Sequence, residues 1–142
     1  MRQSILIGVA LATLSATTVS ADVRIRNDPG GIISQHMQVF ARLRDSGERI
    51  VIDGHCYSSC TLVLGIVPPD RVCVTPRARL GFHAAWVPGG DGRPLPSPEG
   101  TATMWGVYPD VVRKWITNRG GLRRELVILS GRELTSMVRP CR

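Results

Sequence analysis

Residues 49–66 read RIVIDGHCYSSCTLVLGI. Ile50, Val51 and Ile52 form a continuous apolar run, the pattern of a strand covered on both faces, and Gly54 is expected to end it. Beyond the turn Gly54–Cys60, the residues Cys60, Thr61, Leu62, Val63, Leu64 and Ile66 are too bulky for a loop. They predict a short buried helix, closed by Pro68-Pro69. A strand, a tight turn and a buried helix place Ser58 at a helix N-terminus, where unpaired backbone N–H groups favour negative charge. Two roles are open to such a serine: an N-cap contributing about 1 kcal/mol, or a nucleophile.

Upstream, Asp22–Arg26 alternates apolar Val23 and Ile25 with arginines and predicts a strand, broken by Asn27-Asp28-Pro29-Gly30-Gly31. Ile33, Met37, Phe40 and Leu43 then recur at helical steps and predict a helix that stops at Gly47. Downstream, Arg71–Thr75 and Arg79–Phe82 read as strands. Residues 88–100 are dense in Pro and Gly and predict a flexible flap. Residues 101–118 read as a helix bent near Pro109, residues 122–129 as a last helix, and residues 130–142 as a terminal turn or helix. Strand and helix alternate, which predicts the α/β class.

The chain has 142 residues, of which 43% are hydrophobic, enough for one packed domain and too many for a disordered or fibrous chain. Its formal charge is +7, from 17 arginines and the single lysine Lys114 against 11 acids. The arginines are scattered among acids and form no run that would grip phosphates, so no nucleic-acid partner is expected. Met1–Ser4 carries Arg2, Ile5–Leu14 is nearly all apolar, and Thr17–Ala21 ends on small residues with Val19 and Ala21 at cleavage-type positions. This predicts a secretory signal peptide over residues 1–21 and a single domain over 22–142. The apolar stretch is too short to cross a bilayer, so no membrane association is expected after cleavage, and a periplasmic or secreted location follows. In an oxidising compartment Cys56, Cys60, Cys73 and Cys141 predict two disulfides, with three pairings open. A zinc site at His55, Cys56 and Cys60 is disfavoured there, and neither a metal nor another cofactor is expected.

Three features stand in order along the chain: Pro29-Gly30-Gly31 after the first strand, Gly54-x-x-x-Ser58 after the second, and His83 after Leu80-Gly81-Phe82. Gly31 precedes Ser58 by 27 residues and His83 follows it by 25. This ordered set resembles the proteolytic subunit of caseinolytic Clp protease and the wider Clp/crotonase superfamily, including its exported Clp-like members. The resemblance covers residues 23–85 and implies an abbreviated Clp/crotonase-like fold of repeated strand–helix units, stapled by disulfides, with the flap at 88–100 and helices across 101–142. It implies Ser58 as nucleophile, His83 as general base, and the N–H groups of Gly31 and Ser59 as the oxyanion hole. Ser59 is the rival nucleophile. The family's triad aspartate lies close to fifty residues beyond the histidine. Here that region is Gly131-Arg132-Glu133, and Asp110 and Glu133 are the nearest candidates, Asp110 being the one carried forward. Lys114, on the outer side of a late helix, does not supply a serine–lysine dyad. The chain is too short for a full ring-stacking segment, and no ATPase partner is expected; the oligomeric state is open.

Two functions follow from the resemblance. One is a serine hydrolase acting on a peptide or small acyl substrate through an acyl-enzyme at Ser58. The other is a catalytically silent Clp-like domain that binds a ligand in the same cleft. A crotonase-type acyl-CoA enzyme is a third and suits an exported protein less well.

Overall fold

The computed structural model describes residues 21–142, so the expected signal segment, residues 1–21, lies outside the described residues except for Ala21. Strand β1 spans Asp22–Asp28 and is followed by helix α1, Ile33–Ser46. Phe40 is buried, and Ile33, Met37 and Leu43 pack against the core on the same stripe of α1. Gly47 closes the helix in the left-handed conformation at φ 82°, its N–H donating to the Arg44 carbonyl, a geometry that glycine adopts without steric cost.

Strand β2 runs from Arg49 to Tyr57, past the glycine expected to end it. β1 bulges between Ile25 and Asn27, and the Arg26 carbonyl closes onto Gly54 so tightly that a Cβ would overlap it. Gly54 therefore serves close approach between strands rather than termination. β2 is the centre of a mixed sheet. It pairs in parallel with β1 on one side; on the other, its first half pairs with β3 (Val72–Val74) and its second half with β4 (Arg79–Phe82). A 3₁₀ segment, Ser58–Leu62, and the single-turn helix α2, Val63–Ile66, follow β2 as the buried helical stretch expected.

The second half departs more from expectation. Trp86–Pro88 (β5) and Pro94–Pro96 (β6) form an antiparallel hairpin where a flap was expected. Helix α3 then begins at Pro98, with the Ser97 hydroxyl accepting from the Gly100 N–H. The predicted bend is a break between α3 (Pro98–Val107) and α4 (Asp110–Asn118). At the break, Tyr108 is buried, sets its ring edge-on to Phe82 at 5.3 Å, and shares a 2.8 Å hydrogen bond with the Thr61 hydroxyl. Burial pushes its phenol well above the ordinary value, keeping it neutral. The helix expected over residues 122–129 is absent. Val127–Ser130 forms β7, antiparallel to β4, and a short helix α5 follows at Gly131–Thr135.

The architecture is mixed α/β, held by two disulfides, Cys56–Cys60 and Cys73–Cys141. One sheet face, carrying Ile50, Ile52, Cys56, Leu80 and Phe82, meets the helices in the core. Among the described residues no helix is long and apolar enough to cross a membrane.

The opposite sheet face carries Asp53, whose side chain is 1% exposed beneath arginines. Its carboxylate accepts from Arg77 at 2.6 Å, from the Thr75 hydroxyl at 2.7 Å and from Arg24 at 3.1 Å. The Arg77 bond, then that from Thr75, holds its pKa well below the ordinary 3.8. The carboxylate is thus easier to ionise when folded, and its contribution to stability is complete above the unfolded value. That contribution is lost as pH falls through the depressed folded value. Thermal unfolding followed from pH 7 to pH 2 is expected to show Tm falling below about pH 4, and Asp53→Asn to flatten that fall while lowering Tm at neutral pH.

Candidate active site

Ser58 is the first residue after β2, and its φ of 55° makes it the one non-glycine residue with positive φ among the described residues. A left-handed serine costs on the order of 1–3 kcal/mol and persists only where its surroundings enforce it. Here the surroundings are covalent as well as packed, because Cys56 and Cys60 are joined across the turn that holds Ser58. A strand that turns sharply through a strained serine into a helical segment is the arrangement that exposes a nucleophilic hydroxyl at the top of a sheet. The disulfide also removes both thiols from any metal site.

Ser58 lines a cleft of about 680 Å³ together with Gly30, Gly31, His83, Trp86 and Gly100. The sequence-predicted residues Ser58, His83 and Gly31 therefore meet in one place. Gly30 forms the wall beside the serine. It sits at φ 89°, and a Cβ there would lie 2.6 Å from Ser58 Cβ and 2.7 Å from the Tyr57 carbonyl oxygen. Gly30→Ala is expected to cost more than the roughly 1–2 kcal/mol of a left-handed backbone alone, since the side chain must displace the turn; urea unfolding measures it.

His83 is half-buried, and its Nδ1 lies 2.6 Å from the Ala84 carbonyl oxygen. That contact places the ring proton on Nδ1 and leaves Nε2 with a lone pair, the tautomer a general base requires. Among the described residues no hydrogen bond joins Ser58 to His83, and no carboxylate touches the His83 ring. Asp110, the expected third member, is not brought to His83. It stands at the start of α4, 93% exposed, with its carboxylate on the Arg113 guanidinium. Glu133 is likewise committed to Arg119.

Ser59 behaves unlike its neighbour. It is fully buried, and its hydroxyl accepts from the Gly31 N–H at 2.8 Å while lying 3.0 Å from both the Gly31 carbonyl oxygen and His36 Nδ1. The Gly31 N–H, expected in the oxyanion hole, is thus engaged by a side chain. The Ser59 N–H, the other expected donor, lies in the first turn of the 3₁₀ segment, where intrasegment partners are lacking. His36 Nε2 in turn lies 3.1 Å from the Asp28 carboxylate, which also accepts from the Gly30 N–H at 2.8 Å. Asp28 and His36 were not anticipated. Their signals were present: an aspartate two residues before a glycine, the pattern of an Asx turn, and a histidine beside the buried stripe of α1. His55, by contrast, is exposed on the open sheet face and stacks on Tyr57.

The cleft is apolar at its rim, where Ile32 and Trp86 are 60% and 54% exposed. On either side of β5, Ala85 and Gly89 bond to Ser97 and Arg93, so in the alternating ladder the backbone groups of Trp86 face away from β6. No protein-family model and no curated protein sequence matches the chain.

Proposed function

We propose that the chain is an exported Clp-like serine hydrolase, of peptidase or esterase type, that forms an acyl-enzyme at Ser58 with His83 as base. The carrying observation is Ser58 itself, strained at the strand end and facing the same cleft as a histidine with a free Nε2. In this reading Ser58 Oγ attacks the substrate carbonyl carbon as Nε2 takes the hydroxyl proton. The tetrahedral oxyanion meets the Ser59 N–H, and the Gly31 N–H if it leaves the Ser59 hydroxyl. Each donor is worth roughly 3 kcal/mol of barrier. Collapse breaks the bond to the leaving group, which receives the proton from Nε2, and water then cleaves the acyl-serine by the same route. The free backbone groups of Trp86 and the apolar rim suit an extended peptide or an acyl chain. Two disulfides suit an oxidising compartment, periplasmic or extracellular.

A second reading, a Clp-like binding domain without turnover, draws on the engaged Gly31 N–H and the absence of a Ser58–His83 bond. Serine–histidine bonds are often loose in empty sites, so the first reading is preferred. The test is labelling with a fluorophosphonate probe and mapping of the adduct. An adduct on Ser58 that disappears in Ser58→Ala is expected. No adduct, or one that survives the substitution, leaves the binding domain, for which ligand-induced thermal shifts persist in Ser58→Ala.

A further inference from the structure

Resting on the hydrolase reading above, we infer that Asp28, His36 and Ser59 form a hydrogen-bonded chain that positions the Pro29–Gly30–Gly31 turn against Ser58, with Ser59 a positioning residue and not a nucleophile. The chain reads as a serine–histidine–aspartate series: Ser59 Oγ to His36 Nδ1 at 3.0 Å, and His36 Nε2 to Asp28 at 3.1 Å. Its geometry is more complete than that of Ser58 and His83, yet its hydroxyl has no access to a substrate. Ser59 is fully buried, and both polar groups of the Gly31 backbone lie on its oxygen.

What the chain touches defines what it does. The Gly30 N–H is held by Asp28 and the Gly31 N–H by Ser59, so the two glycine amides are fixed from opposite ends of one network. Gly30 is packed directly on Ser58, with no room for a Cβ. The position of the turn is therefore the position of the wall beside the nucleophile. The Ser59 hydroxyl acts as a placeholder for the Gly31 N–H. A developing oxyanion, forming a charge-assisted bond of roughly twice the strength, draws that N–H away when chemistry begins.

Asparagine at position 28 separates positioning from proton relay. Asp28→Asn keeps an oxygen for the Gly30 N–H and offers its amide N–H to His36 Nε2. The imidazole proton then moves to Nδ1, between Ser59 Oγ at 3.0 Å and the Ile32 carbonyl oxygen at 3.3 Å, while the Ser59 hydroxyl turns to the Gly31 carbonyl. The two bonds to His36 reverse direction while the Gly30 and Gly31 N–H groups keep theirs, whereas a Ser59 nucleophile would lose its base.

The experiment measures two quantities on the full chain: the rate of fluorophosphonate labelling with its site, and amide hydrogen exchange at Gly30 and Gly31. Ser59→Ala and Asp28→Ala are expected to speed exchange at these amides at least about tenfold and to slow labelling of Ser58 by about tenfold. Asp28→Asn is expected to stay within about threefold of wild type in both, while thermal unfolding verifies that each variant is folded. Unchanged exchange in Ser59→Ala, faster labelling in Ser59→Ala, an adduct on Ser59, or Asp28→Asn as impaired as Asp28→Ala each overturns the inference. If neither serine is labelled, the hydrolase reading fails, and the exchange measurements still decide whether the chain fixes the turn.

Discussion

Replacing His83 by alanine is expected to slow acylation of Ser58 by about 10²–10⁴-fold, the usual contribution of a positioned general base, while Asp110→Asn leaves the rate within about twofold. The contrast follows from where the three histidines and the nearby acids stand. His55 lies on the open sheet face, and His36 has its Nδ1 beside Ser59 and its Nε2 on Asp28. Only His83 lines the Ser58 cleft with a nitrogen to spare. Asp110 belongs to Arg113 at the surface, so its charge is neither aimed at the imidazole nor desolvated. The Ala84 carbonyl sets the ring tautomer that a triad aspartate would set, but as a neutral dipole it gives the imidazolium less electrostatic support. Labelling rates at fixed probe concentration, with the adduct mapped to Ser58, measure the effect. Equal rates for His83→Ala and wild type would remove His83 from the mechanism, and a large loss in Asp110→Asn would require a rearranged α4.

The parts of this arrangement that could be read from the chain are those where one local pattern had one physical solution. The apolar run Ile50–Ile52, bounded by Gly47 and Gly54, suited a covered strand, and the stripe Ile33, Met37, Phe40, Leu43 suited a helix face, and both pack on the core. The serine, the glycine pair and His83 fell on the ends of those elements, so their meeting in one cleft followed from the order of the elements. Residues 122–129 failed because Leu122, Leu126 and Leu129 are spaced for a helix while Val127-Ile128-Leu129 also suits a strand. The free edge of β4 decided it, a tertiary fact with no local trace. The Asp28–His36–Ser59 chain was hidden for the same reason: it joins a turn, a helix and a 3₁₀ segment whose partners stand 8 and 23 residues apart. Gly54 carried the opposite error, since a glycine in a strand reads as a stop until the bulged neighbour that needs its missing side chain is seen.

Removing the Cys73–Cys141 bridge by the double substitution to alanine is expected to cost about 4 kcal/mol of stability, against about 2 kcal/mol for the Cys56–Cys60 pair, because loop-closure entropy grows with the length of chain enclosed. The bridges enclose sequence separations of 68 and 4 residues. The longer one also secures an edge. Residues near the C-terminus lie beside β3, with the Val74 N–H donating to the Arg139 carbonyl at 3.0 Å, the Cys141 N–H donating to the Val74 carbonyl at 2.9 Å, and Pro140 bridging Val74 in parallel. Freed from Cys73, that segment can fray and expose backbone groups of β3 to other chains, so aggregation on heating is expected to rise with the loss of stability. For the site the order reverses. Cys56–Cys60 closes the turn that forces Ser58 to positive φ, so its removal relaxes the strain and is expected to slow labelling of Ser58 more than removal of the longer bridge does. Urea unfolding of the two double variants under non-reducing conditions, paired with labelling rates below either transition, measures both orders. If the pair flanking the serine proved dominant in stability and negligible in labelling, the bridge would be a staple of the core and the strain at Ser58 would be held by packing alone.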